Sequence, residues 1–174
     1  KSIGIDTWGV DFGLIDKQGN LVGNPVCYRD SRTDGMPEQE FRRIDPRTHY
    51  AVAGTQVMAI NTLFQLYAMK QKGSPLLEVA DKLLFMPDLF SYFLTGVANN
   101  EYSIASTSEL MDIQARQWNY PLIRELGRPE HLVGNIVMPG ESRGTLKPDV
   151  KEELGLEYDV EVIAVASHDT ARAG

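Results

Sequence analysis

The sequence has a single cysteine, Cys27, in 174 residues, so no disulfide forms within the chain and no zinc site is built on thiolates. Histidine is almost as scarce: His49, His131 and His168 lie far apart, and none stands at metal-ligand spacing from another. Positive charge is in deficit. With 17 Lys+Arg against 24 Asp+Glu the formal net charge is −7, and no basic face is left to follow a phosphate backbone, which argues against nucleic acid as a partner. Long apolar runs are missing too: 83–86 and 162–166 fall far short of the roughly 20 residues that cross a bilayer. Residues 1–15 show no basic stretch followed by an apolar run and a cleavage site, so no membrane association and a cytoplasmic location are expected. The phosphate-loop pattern Gly-x-x-x-x-Gly-Lys does not occur.

What is present is the composition of a globular chain. At 43% hydrophobic residues, a chain of this length buries on the order of 70% of its unfolded surface, enough for one sizeable core. Ser2-Ile3-Gly4-Ile5-Asp6 reads as a short buried strand, and the chain thus begins inside a strand. The stretches 11–16 and 21–23 flank Lys17-Gln18-Gly19-Asn20 as a β-hairpin. A polar loop follows to Pro37. Then four short helices form a helical insertion. Asp45-Pro46 caps the first and Asn61 the second, in which Leu63, Leu66, Tyr67 and Met69 recur at helical spacing. Ser74-Pro75 starts the third, with Leu76, Leu77, Val79 and Ala80, and Pro87-Asp88 opens the fourth, which ends at Thr95-Gly96. Residues 104–111 read as strand or extended loop, 120–126 as a helix closed by Gly127, 134–144 as loop and 148–154 as a short helix. The clearest strand, 161–166, runs into Ser167-His168-Asp169-Thr170-Ala171, where small residues suit the start of another helix.

Ligands of open α/β sheets bind at the carboxyl ends of strands. Two such ends carry polar residues here, Asp6-Thr7-Trp8-Gly9-Val10-Asp11 and Ser167-His168-Asp169-Thr170. Asp169 near a helix start suits proton transfer from a substrate hydroxyl, with His168 and Thr170 as hydrogen-bonding neighbours; it equally suits a plain helix cap. Trp8-Gly9 suits a sugar platform, an aromatic face beside a backbone left open, or a core ring beside a turn. Asp6 and Asp11 read as metal ligands or as turn and strand-edge residues. Arg29, Asp30 and Arg32 read as contacts to a polyol or phosphate, or as an exposed turn of mixed charge.

Taken together, the strings Ser2-Ile3-Gly4-Ile5-Asp6-Thr7-Trp8-Gly9-Val10-Asp11-Phe12, Tyr28-Arg29-Asp30-Ser31-Arg32-Thr33 and Asn61-Thr62-Leu63-Phe64-Gln65-Leu66 resemble the FGGY carbohydrate kinases. The resemblance continues, in the same order, through Met86-Pro87-Asp88-Leu89-Phe90-Ser91-Tyr92 with Leu94-Thr95-Gly96 and through Val165-Ala166-Ser167-His168-Asp169-Thr170-Ala171. It implies an α/β chain, a fragment of a ribonuclease-H-like (actin-like ATPase) domain with a β-hairpin and a helical insertion. It implies phosphoryl transfer from MgATP to the 1-hydroxyl of L-rhamnulose, with another ketose (xylulose or fuculose) or a non-catalytic sugar-binding or scaffold role as alternatives. On the same ground Asp169 falls at the general-base position, and Gly9, His168 and Thr170 at positions that hold the sugar. Asn61, Arg29 and Asp30 lie in segments that line the pocket. Residues 1–174 then form part of the N-terminal, sugar-side domain, without its first strands and without the C-terminal nucleotide domain. ATP and Mg²⁺ serve the parent enzyme, and neither is expected to bind this chain tightly. The strand at 3–6 would be left with an unpaired edge, which predicts self-association.

Overall fold

The structure, a computed structural model, describes residues 1–172. It opens with β1 (Ser2–Ile3) and β2 (Phe12–Asp16), then the helices α1 (Met36–Glu40), α2 (Pro46–Ala53) and α3 (Thr62–Gln71). Next come α4 (Leu76–Val79), β3 (Ala80–Phe85), α5 (Met86–Thr95), β4 (Asn99–Glu101) and α6 (Tyr102–Ala105). The short pair β5 (Met111–Asp112) and β6 (Gln117–Trp118) leads to α7 (Tyr120–Glu125). The chain closes with β7 (Asn135–Val137), β8 (Ser142–Thr145), α8 (Pro148–Glu153), β9 (Glu161–Ile163) and α9 (Asp169–Arg172).

The arrangement that positions the site is the pairing of β1 with β9. They run parallel, Ser2 opposite Glu161 and Ile3 opposite Val162, and β8 lies antiparallel on the other side of β9. Parallel neighbours end on the same edge, so the two polar segments that follow them leave the sheet side by side. β1 is shorter than the sequence pattern suggests, and Ser2 is exposed rather than buried.

The expected helical insertion is interrupted. Ala80–Phe85 is a strand, β3, paired antiparallel with β2 so that Phe12 faces Phe85 and Leu14 faces Leu83. Leu83, Leu84 and Phe85 are all at 0% exposure. A strand buried on both faces has no alternation to betray it, and its apolar run looks like the end of the helix before it. The hairpin at β2 is present: Asp16 N–H donates to the Asn20 carbonyl at 2.9 Å and Val22 N–H to that of Leu14 at 2.8 Å. Two further expectations are corrected. Residues 104–111 hold the end of α6 and a 3₁₀ turn at Ser106–Ser108, because the Glu101 side chain caps that segment. The loop expected at 134–144 contains β7, paired parallel with β4, and β8.

α3 is buried on every side from Thr62 to Met69 and belongs to the main apolar cluster with residues of β2 and β3; the Trp118 ring joins that cluster by stacking on Phe85. α2 begins at the expected cap, with the Asp45 carboxylate accepting Thr48 N–H at 2.9 Å, and is tied by the buried His49–Glu109 pair to the 3₁₀ turn. α5 and β8 meet through a buried ion pair. One guanidinium nitrogen of Arg143 donates to Asp88 at 2.8 Å and to the Asn99 carbonyl, while its Nε donates to the Asn99 side chain. Both side chains are at most 2% exposed.

Burial pushes the Asp88 carboxyl up to about 6, against the pull of Arg143 and of the Glu101 and Asn100 donors. Because this value lies above the ordinary 3.8, Asp88 favours folding most where it is protonated, and its contribution turns against the fold as pH rises through 6. Arg143→Ala should therefore cost about 3–5 kcal/mol at pH 7, where it strands a buried charge. The deficit, read from urea midpoints, should shrink at pH 5 as Asp88 takes up its proton.

Candidate active site

Beyond the sheet the two strand-end segments stay paired. Thr7 N–H donates to the Ser167 carbonyl at 2.9 Å and Asp169 N–H to that of Thr7 at 3.0 Å, so Thr7 and His168 are bridged. Immediately after Thr7 the chain makes a three-residue turn: Asp11 N–H donates to the Gly9 carbonyl at 2.9 Å across Val10, whose φ is +66°. Such a turn is strained for any residue and more so for a β-branched one, with a cost of about 1–3 kcal/mol. α3 holds it in place: Thr62 Oγ1 at 2.8 Å and Gln65 Nε2 at 3.1 Å both donate to the Val10 carbonyl.

The turn sets Gly9 against the His168 ring. A Cβ on Gly9 would lie 3.0 Å from His168 Cδ2 and Nε2 and 3.3 Å from Thr107 Oγ1, closer than packing comfortably allows. It also fixes Trp8, whose indole N–H donates to Asp11 Oδ2 at 2.9 Å. Asp11 is 4% exposed, and burial raises its pKa above the ordinary value. The Trp8 N–H, the Tyr28 amide, Gln65 and Arg32 oppose that shift.

These residues enclose a cleft of about 400 Å³. Trp8, Val10, Met58 and Ile60 form its apolar part; Tyr28, Thr55, Asn61, Thr107, His168 and Asp169 supply hydroxyl, amide, imidazole and carboxylate groups. An aromatic wall with several neutral hydrogen-bonding groups and one carboxylate suits a small polyhydroxylated molecule. The lining contains no Lys or Arg, and among the described residues no three His, Cys, Asp or Glu side chains group to hold a metal ion.

Of the residues singled out in the sequence, Gly9, Asn61, His168 and Asp169 meet in this cleft. The Asp169 carboxylate is 58% exposed and 3.5 Å from His168 Nε2, with Oδ1 accepting Thr170 N–H at 2.7 Å. Asp169 is therefore the first residue of α9, with its carboxylate exposed on the cleft side. Thr170 is exposed beside it, outside the lining. Arg29 and Asp30 are not brought in: Arg29 lies exposed along the Tyr28 ring, and Asp30 accepts Arg32 N–H to cap a 3₁₀ turn. Tyr28 is the cleft residue of that segment. Asn61 occupies the cap position of α3 without capping it; its Oδ1 accepts Met58 N–H at 2.7 Å and its Nδ2 donates to the Thr107 carbonyl at 2.8 Å. Asn61 thereby joins the two loops that carry Met58 and Thr107, neither of which sequence spacing had marked.

Residues 1–173 match the N-terminal domain of the FGGY family of carbohydrate kinases. Over 99% of the chain the sequence is 48% identical to a rhamnulokinase of Bacteroides thetaiotaomicron and 40% identical to a rhamnulokinase of Oceanobacillus iheyensis. The chain spans only about a third of those relatives, 35% and 36% of their lengths. The fold is shared with a ligand-bound xylulose kinase of Lactobacillus acidophilus, TM-score 0.84 at 16% identity, over 94% of this chain and 34% of that one. The architecture is accordingly the ribonuclease-H-like, actin-like one.

Gly9→Ala tests the contact that shapes the cleft. The new methyl should displace the half-buried His168 ring, seen as shifted imidazole signals in NMR, while stability in urea falls by about 1 kcal/mol or less because the ring has room to give way.

Proposed function

The chain belongs to the FGGY family of carbohydrate kinases, and from that membership we propose that it is the sugar-side domain of an ATP-dependent kinase acting on the 1-hydroxyl of L-rhamnulose. The observation that carries this reading is the convergence of Gly9, His168 and Asp169 from two strand ends onto one mostly neutral cleft. The names of the two relatives at 48% and 40% identity support L-rhamnulose as the sugar.

In this reading Asp169 is the general base: its exposed carboxylate takes the proton of the sugar's reacting hydroxyl. His168, beside it, donates to or accepts from a second sugar oxygen, and Asn61 and Thr107 present further polar groups along the wall. Trp8 packs against a carbon face of the sugar. Gly9 leaves room for the His168 ring. Most of the rate enhancement in phosphoryl transfer comes from positioning, and this cleft contributes the positioning of the acceptor.

ATP with Mg²⁺ supplies the phosphoryl group in such kinases. A triphosphate needs cationic or metal-bound support. The cleft lining offers neither, so the residues here do not fit the nucleotide, and we place its site in other parts of the protein. ATP availability puts the reaction in the cytoplasm; among the described residues no helix is long and apolar enough to cross a membrane. Among the described residues the outer edge of β1 has no strand beside it, and we propose that the isolated chain self-associates there, giving a dimer in light scattering; a monomer at high concentration would overturn this.

Titration calorimetry of this chain separates the readings. L-rhamnulose should bind more tightly than xylulose or fuculose, and MgATP should give no heat. Asp169→Ala should weaken the sugar by roughly tenfold to a hundredfold, the loss of one charge-assisted hydrogen bond. In the complete gene product Asp169→Asn should lower kcat by about 10²–10⁴-fold. Unchanged turnover in that variant would remove Asp169 from the mechanism.

A further inference from the structure

Glu101 ends β4 at 0% exposure, and its two oxygens meet only uncharged donors. Ser103 N–H donates to Oε1 at 2.8 Å. Oε2 accepts from Ile104 N–H at 3.1 Å, Ser103 Oγ at 2.6 Å, Ser167 N–H at 3.2 Å and Ser167 Oγ at 2.5 Å. Capping α6 accounts for only part of this. A helix as short as α6 is capped well by Ser, Thr, Asn or Asp, whose side chains reach the first amides without a further methylene. The longer side chain of Glu carries a carboxylate past α6 to Ser167, and it does so in a fully buried place, where an unneutralised carboxylate is costly and needs every available donor.

Ser167 is the residue before His168 and Asp169, and its carbonyl is the acceptor for Thr7 N–H. His168 N–H in turn faces Ser103 Oγ at 3.4 Å, the same hydroxyl that donates to Glu101. The backbone of 167–169 therefore has two supports. One is Thr7, from the other strand end; the other is Glu101, directly and through Ser103. We propose that Glu101 is a positioning residue for the cleft: through Ser167 and Ser103 it sets where His168 and Asp169 stand relative to Gly9. Its effect on sugar binding rests on the sugar-kinase reading; its effect on geometry does not.

Glu101→Asp distinguishes positioning from capping, because the shorter carboxylate still caps α6 but withdraws from Ser167. Ser167→Ala removes only the hydroxyl arm and keeps the experiment decisive if the first variant fails to fold. In ¹⁵N-labelled chain both variants should shift the amide signals of Thr7, Gly9, His168 and Asp169, and leave in place the amide signal of Gly155, whose N–H donates to the Glu152 carbonyl at 3.0 Å in the turn after α8. Affinity for L-rhamnulose should drop on the order of tenfold in Glu101→Asp and less in Ser167→Ala. Cleft signals that stay in place in both variants would overturn the proposal. If the unmodified chain binds no L-rhamnulose, the sugar reading fails, and the amide shifts still decide whether Glu101 positions the cleft.

Discussion

Two buried carboxylates on neighbouring segments, Asp88 on α5 and Glu101 at the end of β4, hold the polar framework of this domain together. They are linked directly: Glu101 N–H donates to Asp88 Oδ1 at 3.1 Å, and Asn100 Nδ2 donates to Asp88 Oδ2 at 3.0 Å. Asp88 gathers Arg143 from β8, and Glu101 gathers α6 and the segment after β9. Ionised carboxylates only accept hydrogen bonds, so each can draw several N–H and O–H groups from different elements toward one point. An apolar core packs non-directionally and tolerates small rotations of one layer over another. A carboxylate surrounded by donors fixes the register of the elements that supply them, and here those elements are the ones behind the cleft.

A second constraint acts from the opposite side. Val10 is held at positive φ by the hydroxyl and carboxamide of two fully buried residues of α3, Thr62 and Gln65. Polar side chains buried in the first turn of a helix are unfavourable unless satisfied. Here they are satisfied by the carbonyl of the strained turn, so the desolvation of Thr62 and Gln65 and the strain at Val10 offset one another. The cleft thus lies between two rigid supports, α3 under Trp8-Gly9-Val10 and Glu101 under Ser167-His168-Asp169. Neither support contributes a lining side chain, which leaves the lining free to be chosen for its ligand.

How much of this was legible in the sequence follows from which physics was local. Gly9, His168 and Asp169 could be found because a polar segment right after an apolar strand is a local signal, and the parallel pairing of β1 and β9 then brings the two segments together. Asp45-Pro46 before α2, Gly96 after α5 and Gly127 just past α7 also read correctly, since caps and positive-φ glycines act within one turn. β3 did not, because Leu83, Leu84 and Phe85 are buried on both faces and carry no period. α6 did not, because its cap is a Glu whose other partners are more than sixty residues away. Arg29 and Asp30 looked functional as charges in a loop, yet what brings a residue of that loop to the cleft is the Tyr28 ring. Nothing local marks Thr107 either, since Asn61 recruits it through a tertiary hydrogen bond, while Met58 is held by a local one from its own N–H to the Asn61 side chain.

The electrostatics of the cleft bear on the division of labour in phosphoryl transfer. Asp169 is the one charged side chain in a lining that is otherwise neutral, and the chain as a whole carries a net charge of −7. Such a surface repels a polyphosphate and is indifferent to a neutral sugar. On the proposed reading, in which the hydroxyl acceptor sits in this cleft, the cations that neutralise the transferring group come from outside its lining. On that reading the work divides by place: the cleft holds and orients a neutral acceptor through its aromatic wall and its hydrogen-bonding groups, and charge neutralisation falls to groups outside the lining.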